Sequence, residues 1–219
     1  MGKPTATSVS AKQTVEDAFR DVLRTNLSSV KKWEPVAVKG KDIEGVHQMR
    51  VGMRRMRSAL TVFRSAIPRK ATAPLAQEMR WAARTLDHAR DLDVYIADNL
   101  SSKGAKGHKA MRKIAMRRRD RVYGQVRSFI GGRRYARLQT ELTRWLGRRS
   151  WRKQLSRKQK KCLGCKVTTF AAQVLEQHRT QVLQDAKNIN KLDAEALHQL
   201  RIDCKKLRYA TEFFSPLFG

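Results

Sequence analysis

Two histidines stand 151 residues apart, and each heads a run of cations at helical spacing. His47 is followed by Arg50, Arg54 and Arg57, and His198 by Arg201, Lys205 and Arg208. At about 100° per residue, all four members of each run fall within about 80° of one another on a helix, over about 15 Å of its length. Imidazole, guanidinium and ammonium donors at such short intervals suit an anion of high charge density, because charge-assisted hydrogen bonds are roughly twice as strong as neutral ones. Arg54 in one run corresponds to Lys205 in the other. That exchange keeps the charge and gives up the planar fork, so the stripe requires positive charge more than one fixed bonding geometry.

The segments that must position these residues are themselves a repeat. IEGVHQMRVGMRRMRSALTVFRSAI, from Ile43 to Ile67, aligns without a gap on AEALHQLRIDCKKLRYATEFFSPL, from Ala194 to Leu217, at the same offset of 151. The offset also pairs Phe19 with Phe170, Asp42 with Asp193, Glu44 with Glu195 and Phe63 with Phe214. An internal repeat is the first fact of the fold. Beside its cationic stripe the first copy has an apolar face of Val46, Met49, Met53, Met56, Leu60 and Phe63. The second has Leu197, Leu200, Cys204, Leu207 and Phe214, with Cys204 read as a small core residue. Asp42 reads as the cap of the first copy, Glu44 adds favourable charge to its first turn, and Pro68 closes it. Arg55, Arg64 and Lys206 on these helices, and Arg84 and Arg90 on the next, are weaker candidates for the same ligand.

The remaining periodicity is helical throughout. A first helix is expected from Thr14 to Lys32, with Val15, Phe19, Val22, Leu23 and Leu27 on its apolar side and the Pro35 to Gly40 region ending it. A third runs from Ala73 to Leu100, Ser101 to Gly107 forms a turn, a very basic helix follows from Lys109 to Ile130, and Gly131-Gly132 separates it from Arg134 to Leu146. With no useful β-alternation, the fold class is all-α. The expected division is a disordered tail over 1–11, a first helical repeat over 12–147, a basic linker over 148–166 and a second, incomplete repeat over 167–219.

Among 219 residues, 48 Lys and Arg face 19 Asp and Glu, a net charge of +29. A chain this basic meets a polyanion: nucleic acid, an anionic membrane surface or polymeric phosphate. No apolar run approaches the roughly 20 residues that cross a bilayer, and no secretory leader is evident, so the expected location is the cytoplasm without membrane attachment. Single-stranded nucleic acid binding interleaves aromatic platforms with cations. Here aromatics are 7 % of the chain, and Trp33, Trp81, Trp145, Trp151 and the phenylalanines read as packing, with Tyr209 alone near a stripe. Cys162 and Cys165 have knuckle spacing but lack a second ligand pair, so no metal or cofactor is expected. Asp87, Asp91 and Asp93 are the acidic cluster; pairing with Arg84 and Arg90 accounts for them, and Asp91 is a candidate to orient one histidine. No P-loop or metal-holding carboxylate set supports catalysis, so no catalytic residue is assigned.

His47 to Arg50 with Arg54, Arg55 and Arg57, and above all LHQLRIDCKKLRYATEFF at Leu197 to Phe214, resemble the conserved histidine α-helical domain (CHAD) family. ARDLDV at Ala89 to Val94 resembles the family's third helix, with Asp87 standing where its pattern has glycine, and RYARLQTELTRWL at Arg134 to Leu146 fits its middle region. The resemblance covers the chain from about Val15 onward. It implies two four-helix bundles related by a pseudo-twofold axis, with a basic central channel, lined by the two repeated helices, that binds inorganic polyphosphate. It also implies association with polyphosphate granules and a fused or partner triphosphate-processing enzyme, whose E-x-E-x-K signature does not occur in this sequence. A general polyanion binder or histone-like nucleic-acid protein is the alternative.

Overall fold

The structure, a computed structural model, describes residues 9–100 and 106–218. The first eight residues of the expected tail, and most of the turn expected after Leu100, lie outside the described residues. Val9 is buried and Gln13 N–H donates to the carbonyl of Ser10 at 3.0 Å, so the described chain is already packed within the expected tail.

The described residues form α1 (Val15–Lys39), α2 (Glu44–Val62), α3 (Ala73–Thr85), α4 (Asp87–Asn99), α5 (Lys106–Ile130), α6 (Arg133–Gly147), α7 (Arg157–Leu163), α8 (Val167–Asp185) and α9 (Ala194–Phe214), with short 3-10 turns between some of them. The fold is all-α, and among the described residues the only sheet-like pairing is an isolated bridge between Thr14 and Lys166. Contacts gather these helices into two compact units. One takes the chain up to residue 26, 55–73 and 146 onward; the other takes 27–54 and 74–145. Both α1 and α2 contribute to both units.

The first unit is built on the aromatic residues of the repeat. Phe63 lies 5.3 Å from Phe19, 5.4 Å from Phe170 and 5.6 Å from Phe214, centroid to centroid, and Phe170 and Phe214 are 6.3 Å apart. The four residues paired by the 151-residue offset thus share one cluster, at separations and tilts that aromatic pairs favour. Trp151 meets Phe19 edge-on at 5.3 Å and is fully buried.

That tryptophan gives order to the segment expected as a linker. Residues Ser150–Gln154 form a 3-10 turn, and α7 opens with a capping box from Ser156 and Gln159. Glu16, itself buried, accepts from Trp151 Nε1 at 3.0 Å, from Arg149 at 2.8 Å and from both forks of Arg152 at 2.6 and 2.7 Å. Burial pushes the Glu16 carboxyl up, but the bonds from Arg152, Arg149 and Trp151 outweigh it and hold the group below the usual carboxylate range. Part of the positive charge that suggested a solvated connector instead neutralises a buried acid.

In the second unit, α1 continues past the expected stop at Pro35. The proline forfeits one backbone bond, but Ala37 beyond it is fully buried, and Glu34 beside it accepts from Tyr135 and Gln139 at 2.5 and 2.6 Å. The helix ends at Gly40, whose φ of 67° is the left-handed cap conformation and whose N–H returns to Val36 O at 3.1 Å. Asp42 then caps α2, accepting from the Glu44 N–H at 2.8 Å. The expected third helix is two: Leu86, at φ −88° and ψ −8°, separates α3 from α4. Asp93 on α4 is buried and accepts from Arg119 at 2.7 Å and Tyr123 at 2.6 Å, and Arg119 also reaches Gly40 O at 2.8 Å. This network ties α4 and α5 to the turn before α2.

A candidate anion-binding site

The first copy of the stripe enters the second unit through His47, Arg50 and Arg54. Its apolar face packs as expected, with Val46, Met49, Met53 and Met56 fully buried. Gly45 allows the close crossing that fixes the histidine two residues on: a Cβ there would stand 2.4 Å from Ala37 N and 2.7 Å from Ala37 Cα.

Arg90, expected as a weaker candidate, comes to this histidine from α4. Burial lowers the His47 pKa; Arg90 adds to the effect, Glu44 opposes it, and Arg54 and Arg50 lower it further. His47 is therefore half-buried in a positive field that favours its neutral form until an anion arrives. Arg50 Nη2 meets Asp87 Oδ1 at 2.6 Å. Its Nε and the Nη1 of Arg90 are buried, and neither finds an acceptor among the described residues. Unsatisfied buried donors cost about 1–3 kcal/mol each, and cationic ones more, so an external anion that reached these two would relieve that cost. Arg54 and Arg84 are exposed.

The acidic cluster is partnered differently from the expectation. Asp87 pairs with Arg50 and Asp93 with Arg119 and Tyr123, rather than with Arg84 and Arg90, because α4 faces α2 on one side and α5 on the other. Asp91 and His88 line a cavity of about 450 Å³ with Leu92, Tyr95 and residues of α5.

The second copy lies in the first unit, on α9, whose start is fixed by Asp193 accepting from Ala196 N–H at 2.8 Å. His198, Arg201, Lys205 and Arg208 are all exposed along it. Arg208 stacks 5.0 Å above Tyr209, which is itself buried and so offers no open platform for a base. Arg57 is half-buried and Arg64 exposed. Arg55 is buried, with Nη1 3.2 Å from Glu212 and its guanidinium 5.5 Å from the Phe213 ring, and so serves packing of α2 against α9. Lys206 is drawn down to Asp203 at 2.6 Å.

Two expected core positions of α9 are open: Leu197 is 43 % exposed and Cys204 is exposed. The buried arc of the helix is centred on Asp203, Ala210 and Phe214, which leaves Leu197 and Cys204 on its edge toward the cationic stripe. Asp203 was not anticipated. Burial raises its carboxyl, but bonds from Lys206 and Gln199 prevail and hold it low. Facing it, His178 of α8 is lowered by burial and then by Lys206. The i−4 and i+3 spacing of Gln199 and Lys206 about Asp203 was the available signal. Among the described residues no group of three or more His, Cys, Asp or Glu could hold a metal ion, and no helix is long and apolar enough to cross a membrane.

Comparison with known proteins follows the same lines. The model of the CHAD domain family matches residues 21–219. Among solved structures, the CHAD domain from the plant Ricinus communis superposes with a TM-score of 0.78 at 28 % identity, covering 96 % of this chain and 68 % of that one. Neither description names an enzyme. No curated protein sequence matches.

Proposed function

The chain belongs to the CHAD domain family, and from that premise we propose that it binds inorganic polyphosphate without catalysis, through His47, Arg50, Arg54 and Arg57 on α2 and His198, Arg201, Lys205 and Arg208 on α9. The observation that carries this reading is the pair of buried, acceptor-less guanidinium donors of Arg50 and Arg90 beside His47. Polyphosphate presents oxygens and charge at every repeat and no bases, which matches a stripe of cations beside which Tyr209 is buried. Counterion release adds a salt-dependent drive, by analogy with DNA. Cytoplasmic location, association with polyphosphate granules and a partner triphosphate-processing enzyme complete the proposal; their support is family membership alone.

The net charge of +29 favours a second reading, a general polyanion or histone-like nucleic-acid binder. A salt-matched competition separates the two. Labelled long-chain polyphosphate is displaced by unlabelled polyphosphate, single-stranded DNA or double-stranded DNA at near-physiological ionic strength. Strong displacement by polyphosphate alone is the expected result. Equal displacement per charge by DNA would make the nucleic-acid reading the better one.

A further inference from the structure

Arg50 is the one stripe residue of the second unit whose guanidinium is divided between two states of satisfaction. Its Nη2 is held by Asp87 at 2.6 Å, while its Nε is buried with no acceptor among the described residues. Asp87 opens α4 immediately after the Leu86 break, and Arg90, which carries the other acceptor-less donor, lies three residues further along the same helix. The pair is only partly shielded, with side chains 31 % and 41 % exposed. A carboxylate therefore already holds Nη2, and a phosphate that takes Nη2 into a two-point contact competes with it.

Resting on the polyphosphate reading, we propose that Asp87 is an internal competitor for Arg50 that makes the site discriminate against short phosphates. The exchange takes one carboxylate off Arg50 and puts one phosphate on. A ligand of two or three phosphates must complete it to take Nη2 at all. A long chain has other registers along Arg54, Arg90 and His47, so it recovers the same contact cost over more partners or bypasses it. Asp87 thereby raises the chain length at which binding becomes strong, without touching the stripe's total positive charge.

The test compares tripolyphosphate with long-chain polyphosphate on the full chain at fixed salt and pH, for the wild type, Asp87→Asn, Arg50→Gln and the double variant. Asp98→Asn, at the exposed far end of α4, serves as the charge-matched control. An exposed ion pair is a weak competitor, so Asp87→Asn is expected to tighten tripolyphosphate about two- to fivefold. The gain for the long chain should be smaller, Asp98→Asn should show no comparable change, and the gain should vanish in the Arg50→Gln background. A gain matched by Asp98→Asn, or one that survives without Arg50, would show a general charge effect and overturn the proposal while leaving polyphosphate binding intact. Absence of saturable polyphosphate binding by the wild type would instead remove the functional reading and the competitor with it. Ligand-free thermal midpoints of each variant report any loss of folding separately.

Discussion

On the polyphosphate reading, His47 gives the site a pH dependence. Its pKa is depressed below the ordinary value of about 6.5 by burial and by Arg90, Arg54 and Arg50. The unfolded chain thus binds the proton more readily, and His47 contributes a loss of stability as pH falls from about 6.5 toward its folded pKa. An anion reverses that penalty by favouring imidazolium. Affinity for polyphosphate should therefore strengthen as pH falls from about 8 toward the depressed pKa of the free site, and His47→Gln should remove the His47 share of that rise. Titration calorimetry across this range checks it. The stripe itself was legible in the sequence because charge at fixed helical spacing survives without knowledge of packing. The partners of Arg50 and Arg55 were not, since Asp87 and Glu212 reach them only once helices are placed. Triple neutralisation of Arg50, Arg54 and Arg57 should lower affinity about 1,000-fold or more, at roughly 1.5–3 kcal/mol for each contact made to a charged group. Neutralising Arg157, Lys158 and Lys160, exposed on α7, should lower it far less in the same assay.

The crossing of α1 and α2 is the element-scale device that places His47. Gly45→Ala would put a methyl group against the backbone of Ala37 rather than against a flexible side chain. Overpacking of this kind costs about 1–3 kcal/mol, so the variant should lose stability in denaturant titration and weaken polyphosphate binding together. Pro35 offers the opposite change. It is exposed, the helix continues through it, and a mid-helix proline costs roughly 3 kcal/mol relative to alanine. Pro35→Ala should raise stability by about 1 kcal/mol or more. Helix α9 was read to its ends, Ala194 and Phe214, because Asp193 caps it and the repeat supplied a second copy for comparison. Two other boundaries were hidden for physical reasons. Proline was read as a stop where packing of Ala37 overrides it, and the break at Leu86 uses a residue with no turn preference of its own.

At the scale of the whole molecule, an excess of 29 positive charges repels itself. Raising salt from about 0.01 M to about 0.1 M shortens the Debye length from about 30 Å to about 10 Å, so the ligand-free thermal midpoint should rise over that range while polyphosphate affinity falls. The all-α class followed from helical periodicity throughout, whereas the order of the 148–166 segment did not. Its anchors, Trp151 and Leu155, are too sparse to show a period, and Glu16, the partner of Trp151, lies more than 130 residues away in sequence. The shared cluster of Phe19, Phe63, Phe170 and Phe214 has a consequence for synthesis. On the ribosome, Phe19 and Phe63 emerge long before Phe170 and Phe214, and no local contact can stand in for rings that have not yet been translated. The unit that contains the cluster must therefore fold late, while the segments of the other unit are complete once residue 145 has emerged. A nascent chain of this protein therefore carries Phe19 and Phe63 without half of their cluster until Phe214 has been made.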